Sequence, residues 1–148
     1  MSYSLERGKN HGLAGASGRD ETTSERGLSI LLIAHSLPVL RDTTDRIAVM
    51  HSGRLVEEAP TPDLFLRPRH PYSEKLLASI PWLNGPLLSK KERGAGPLAG
   101  ATGCRYRAAC EYAEAECGED DPRPREVEPG RVVSCRRAEG LRLTSPLG

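Results

Sequence analysis

The sequence predicts an α/β fold that carries a small cysteine-rich module at its C-terminal end. Three observations lead there. Leu28-Ser29-Ile30-Leu31-Leu32-Ile33-Ala34 is a short, almost continuous apolar run with β-branched content, the pattern of a strand buried on both faces of a parallel sheet. Helical spacing then alternates with strand spacing as far as residue 81. All four cysteines, Cys104, Cys110, Cys117 and Cys135, fall in the last third of the 148 residues.

The elements follow in order. Residues 1–26 are polar and punctuated by Gly8, Gly12, Gly15 and Gly18, which reads as a disordered or loosely attached leader. Gly8-Lys9 is not a phosphate loop, because the earlier glycine is missing and Asn10 stands where Ser or Thr would hold a metal. Residues 27–81 form the structured part. After the apolar strand, Ser36 can cap a short helix with Pro38 in its first turn and Leu37, Leu40 and Thr44 on one face. Ile47-Ala48-Val49-Met50 and Arg54-Leu55-Val56-Glu57 flank His51-Ser52-Gly53, a hairpin with Gly at the positive-φ position. Thr61-Pro62-Asp63 starts a helix that Pro68 stops. His70-Pro71-Tyr72 opens another, with Tyr72, Leu76, Leu77 and Ile80 at amphipathic spacing and Pro81 at its end. Residues 82–103 shift to Gly, Pro, Lys and Ser and read as a linker; the cysteine-rich extension occupies 104–148.

Composition narrows the function. Twenty-one basic against 20 acidic side chains give a net charge of +1, so nothing electrostatic points to nucleic acid or to an anionic membrane. No apolar run reaches the ~18 residues that span a bilayer. The first residues have no apolar signal region, so the cysteines are expected in a reducing compartment, where structural disulfides are rare. A cysteine cluster there suggests a metal or iron–sulfur site.

His35, at the carboxyl end of the apolar strand, stands where open α/β sheets place ligands and could hydrogen-bond a terminal phosphate. By itself it reads more readily as a satisfied strand-end residue. Its neighbours give it weight. The stretch from Ser24 to Leu37 and the stretch Asp45-Arg46-Ile47-Ala48-Val49-Met50-His51-Ser52-Gly53-Arg54-Leu55-Val56-Glu57-Glu58 closely resemble ABC-transporter ATPases, and more narrowly the ATP-binding subunits of bacterial oligopeptide and dipeptide importers. Thr61-Pro62 and Arg67-Pro68-Arg69-His70-Pro71-Tyr72 resemble further elements of that subgroup. The resemblance implies the C-terminal portion of an ABC-type (P-loop NTPase) nucleotide-binding domain, with His35 as the switch histidine that contacts the γ-phosphate. Ser36 departs from the Asp usual after that histidine, and residues 1–23 match nothing. The 148 residues hold no G-x-x-x-x-G-K-[ST], no apolar run ending in Asp-Glu and no LSGGQ-like loop. ATP and Mg²⁺ are therefore expected only in an intact family member, and the chain alone is expected to be inactive as an ATPase.

The cysteine spacing is C-x5-C-x6-C-x17-C, which lacks the paired C-x2-C of zinc ribbons and the ferredoxin run. Spacing alone leaves zinc and an iron–sulfur cluster open, since both take four thiolates. Gly103-Cys104-Arg105-Tyr106-Arg107-Ala108-Ala109-Cys110, Tyr112-Ala113, Cys117 and Val132-Val133-Ser134-Cys135 resemble the importer ATPases' C-terminal extension. That resemblance implies a [4Fe–4S] cluster on Cys104, Cys110, Cys117 and Cys135, with zinc on the same set as the alternative. Six acids between Glu111 and Asp121 would oppose a further reduced, more negative cluster.

His51 in its turn and His11 in the leader read as solvated surface, His70 as a cap or packing residue, and Trp82 as an anchor for the linker. The expected function is the C-terminal part of a peptide importer's ATP-binding subunit. Its partners would be a second ATP-binding subunit and membrane-spanning permease subunits, with no nucleic acid and no direct membrane insertion. The expected place is cytoplasmic, at the inner face of the membrane. The competing readings are a free-standing metal or iron–sulfur interaction module without ATPase activity, a truncated non-functional remnant, and a zinc-binding regulator.

Overall fold

A computed structural model describes residues 9–14, 30–34, 37–80 and 102–145. His35 and Ser36, the opening Leu28 and Ser29 of the expected first strand, Trp82 and most of the expected linker (82–101) lie outside the described residues.

Six strands form one sheet: β1 (Asn10–Ala14), β2 (Ile30–Ala34), β3 (Arg46–His51), β4 (Arg54–Pro60), β5 (Arg125–Glu128) and β6 (Arg131–Val133), in the order β2-β1-β3-β4-β6-β5. β1 pairs in parallel with both β2 and β3, with Gly12 opposite Leu32 on one side and Ile47 on the other. From β3 onward every pairing is antiparallel. The helices are α1 (Leu37–Thr43), α2 (Thr61–Leu66) and α3 (Pro71–Ala78).

The largest difference from expectation is β1. Residues 1–26 read as a structureless leader, yet Asn10–Ala14 runs between β2 and β3, with His11 and Ala14 buried. The glycine that suggests a loop is what allows this strand. A Cβ on Gly12 would lie 3.0 Å and 3.2 Å from the Leu40 methyl groups and 3.1 Å from Thr44 Oγ1. Glycine here lets α1 lie directly on the sheet, a close approach and not a turn. The strand is fixed at one end by Asp45, whose carboxylate accepts from the Asn10 N–H at 2.8 Å while its own N–H donates to the Asn10 carbonyl at 2.8 Å. His11 is therefore a core residue and not solvated surface.

β2 differs in the opposite sense. A strand buried on both faces was expected, but β2 lies at the sheet edge, and Leu31 and Ile33 are each 42% exposed while Leu32 is buried. Period-2 alternation is hidden because both faces carry apolar side chains.

The centre of the chain follows its local signals. Ser52 and Gly53 take positive φ values of 47° and 74°, the two-residue turn whose twist suits an antiparallel pair. α2 begins at Thr61 with Pro62 in its first turn. Thr61 does not cap it, since its Oγ1 donates to the Thr44 carbonyl at 2.7 Å and ties α2 to the end of α1. His70 does cap α3, its Nδ1 accepting from the Tyr72 N–H at 3.0 Å. Leu40, Ile47, Val49, Ala59, Leu64, Phe65 and Leu77 form the dry centre between the sheet and the three helices.

The C-terminal third continues the same sheet. β6 pairs with β4 at Glu57↔Val133 and Glu58↔Val132, and Tyr106 joins the core cluster. Residues 141–145 have no regular structure but are held in place: Leu141 is buried, and Glu74 on α3 accepts from both the N–H and the Oγ1 of Thr144 at 2.8 Å.

Candidate functional site

The four cysteines line one cavity against α3, together with His70, Tyr106, Arg107, Tyr112, Arg137 and Leu141. Each is delivered by a separate short element. Gly103 has φ +94°, and a Cβ there would meet the Cys117 carbonyl at 2.5 Å, so only glycine lets the two segments close. The closure is a hydrogen bond, Cys104 N–H to the Cys117 carbonyl at 2.9 Å. Cys110 ends the 3-10 turn Arg107–Ala109, and Cys117 lies within a second, Ala115–Gly118. Cys135 follows β6, and its carbonyl accepts from Arg125 Nη2 at 3.1 Å.

All four are free thiols of intermediate exposure. Burial raises the pKa of Cys104 and Cys135 and pushes Cys110 up to about 11, and neighbouring thiolates add to each shift. These three thiols therefore rest protonated at neutral pH, and a cation that bound them would displace their protons. Among the described residues, no three His, Cys, Asp or Glu side chains are grouped so as to hold one metal ion. A tetrahedral zinc needs its sulfurs within about 2.3 Å of a single point. The thiols instead stand around a cavity. The donor set is sulfur: the imidazole of His70 already accepts from Tyr72 through Nδ1. Four thiols without a carboxylate ligand suit the chemistry of a soft metal or a cluster.

The acids around this cavity are mostly paired. Arg136 contacts Glu119 at 3.5 Å and also Asp120, Arg137 holds Glu114 at 2.6 Å, and Asp121 lies 3.2 Å from Arg54 and 3.5 Å from Arg105. The six acids that read as a bare negative field are thus largely neutralised locally.

Two groupings had no signal in the sequence. Glu57 is completely buried on β4, 2.9 Å from Arg131 of β6, and also accepts from the N–H groups of Arg69 and His70 at 2.9 Å each. Burial raises the Glu57 pKa against the pull of Ser73, Arg131 and the Arg69 amide. Arg131 also donates to the carbonyls of Asp63 and Arg67 at the end of α2. One buried ion pair therefore joins β4, β6, α2 and the start of α3. Nothing in the Leu55-Val56-Glu57-Glu58 run points to a partner 74 residues later. The second grouping is aromatic: His51 packs 4.4 Å from Tyr72 and 5.2 Å from Tyr106, and Tyr106 lies 5.9 Å from His70 (ring centroids). His51 is half-buried beside the thiol cavity's wall and is not the solvated turn residue expected. His70 is held down to about 3 by burial and by nearby His51, so it stays neutral.

His35 lies outside the described residues. β2 ends at Ala34, alongside Ala14 of β1 in the parallel register.

The fold and the site define a mixed α/β sheet with four thiols gathered around one cavity. The family model described as the oligopeptide/dipeptide transporter C-terminal region matches residues 56–117, from β4 to the third cysteine. YkfD of Bacillus subtilis, provisionally named an oligopeptide transport ATP-binding protein, is 40% identical over 117 residues, which is 75% of this chain and 36% of that protein. The oligopeptide transport ATP-binding protein AppD of the same organism is 40% identical over 110 residues, 72% of this chain and 34% of that protein. A Brucella ovis protein provisionally named for peptide import is 36% identical over 115 residues, 75% of this chain and 36% of that protein. The chain spans about a third of the length of these relatives.

Proposed function

We propose that this chain is the C-terminal part of the ATP-binding subunit of a peptide ABC importer. In that reading it acts with a second ATP-binding subunit on membrane-spanning permease subunits, at the inner face of the membrane, and ATP binding and hydrolysis in the intact assembly drive uptake of di- or oligopeptides. The observation that carries it is the family match running from β4 through α3 to Cys117. Attachment through permease subunits is consistent with the described residues, where no helix is long and apolar enough to cross a membrane. The resemblance of residues 24–37 to importer ATPases is what assigns His35 the γ-phosphate contact. The 148 residues contain no phosphate loop, so the chain by itself should not hydrolyse ATP.

The same reading places a [4Fe–4S] cluster on Cys104, Cys110, Cys117 and Cys135. Its support is that four sulfur side chains line one cavity. The protein's part is to gather the thiolates and to shield them behind Tyr106, Tyr112 and Leu141. The group would supply a cross-link between four loops. Zinc on the same residues is the alternative.

Co-expression with the permease subunits of a peptide importer tests the transport assignment. Recovery of the chain with those subunits in detergent is expected. Recovery equal to that of an unrelated soluble protein would overturn the assignment.

A further inference from the structure

A second cavity, of about 660 Å³, opens between the β3–β4 turn and the segment 121–124, behind the thiol cavity. This falls within the size range of small-molecule sites, about 300–1,000 Å³. Leu55, Val56 and Tyr106 supply buried apolar surface along it. The charged side chains that line it are Arg54, Arg105, Arg123 and Asp121, three cations against one anion. His51, also lining it, adds no charge at neutral pH, because burial and Lys75 lower its pKa.

We propose that this groove is a binding site for a small oxyanion, a phosphate- or carboxylate-bearing molecule with an apolar body, held by Arg54, Arg105 and Arg123. Arg105 is positioned in advance by a backbone carbonyl, while Asp121 is the acid that an incoming anion displaces. Arg105 donates from Nη1 to the Ser52 carbonyl at 2.8 Å, and Asp121 lies 3.2 Å from Arg54 and 3.5 Å from Arg105. Asp121 balances one of the three cations, which leaves two positive charges for a ligand. Cations held in place before binding lose little freedom when an anion arrives, and charge-assisted bonds to it are the strong kind. Cys104 and Tyr106 line both cavities, so an occupied groove shares a wall with the thiol site. The proposal does not depend on the transport reading.

Calorimetric titration of the full chain with inorganic phosphate and, separately, succinate tests it. Saturable binding of at least one anion is expected, in the millimolar range or tighter. The double variant Arg105→Gln/Arg123→Gln should weaken it at least about tenfold, the scale of 1.4 kcal/mol. Arg142→Gln, outside the groove, should leave it unchanged. Should the double variant fail to fold, Asp121→Asn provides the independent arm and should tighten binding several-fold by removing the competing acid. A preference for phosphate or for succinate identifies the ligand's head group. No saturable binding of either anion, or equal weakening by Arg142→Gln, would overturn the proposal.

Discussion

The two halves of the sheet are built on different principles. The parallel half, β2-β1-β3, joins short segments from separate parts of the chain, and its outer strand leaves Leu31 and Ile33 42% exposed. The antiparallel half, β3-β4-β6-β5, is tied across its middle by the Glu57–Arg131 pair and across its outer turn by Arg46, which donates to the Gly130 carbonyl at 2.7 Å. One half coheres through backbone pairing and a packed helix, the other through a buried charge. The thiol cavity belongs to the second half, so its geometry depends on polar contacts that lie well inside the fold.

Breaking the buried pair should have the largest effect. Arg131→Met strands the Glu57 carboxylate at zero exposure, which typically costs about 3–5 kcal/mol. Adding Glu57→Gln should return a large part of that loss, because the amide oxygen still accepts from the Arg69 and His70 N–H groups. Urea midpoints of the single and double variants measure both; equal midpoints would show that the pair does not organise this half. On the parallel side, Gly12→Ala places a methyl 3.0 Å from Leu40 Cδ2. Thr44, bonded to the Leu40 carbonyl at 2.7 Å, resists moving away. Overpacking of this kind costs about 1–3 kcal/mol. An unchanged midpoint would mean that α1 does not rest on β1.

His70 sharpens the comparison through pH. Its folded pKa is about 3 against an ordinary 6.5, so between those values the unfolded chain binds a proton that the folded chain does not. Stability should therefore fall as pH drops below 6.5, by about 1.4 kcal/mol per unit from this group. His70→Asn keeps a capping side chain and removes the titration. The difference in unfolding free energy between wild type and variant should narrow by about 1 kcal/mol from pH 6.5 to 5.5, where half of the unfolded histidines are already protonated at the start; parallel pH curves would refute the buried neutral histidine. The smallest effect belongs to the sheet edge. Leu31→Thr and Ile33→Thr should change stability by no more than about 0.5 kcal/mol, as exposed substitutions do. A loss near 2 kcal/mol in thermal unfolding would show that this face is covered.

What could be read from the sequence divides along the same line. The β3–β4 hairpin, α2 and α3 are encoded by residues a few positions apart: the Ser52-Gly53 turn, Pro62 at the start of α2, and the His70-Pro71 pair that opens α3. β1 could not be read, because Gly12 serves a packing contact with α1 that a single sequence does not distinguish from a turn. The buried role of Glu57 depends on Arg131 of the C-terminal hairpin, and the placement of His51 depends on Tyr72 of α3 and on Tyr106, 55 residues away in the sequence. The cysteines were recognisable as a set from their clustering. Their common cavity required Gly103 and the Cys104–Cys117 hydrogen bond, which spacing does not reveal.

The central claim is that the four thiols act as one ligand set. Anaerobic purification of the full chain, followed by iron, sulfide and zinc analysis of wild type and Cys110→Ser, tests it most directly. The account predicts about four irons and four sulfides per wild-type chain, the content of one [4Fe–4S] centre, and loss of both in the variant. A wild-type chain that binds neither iron nor sulfide, or a variant that keeps the full iron content, would contradict it.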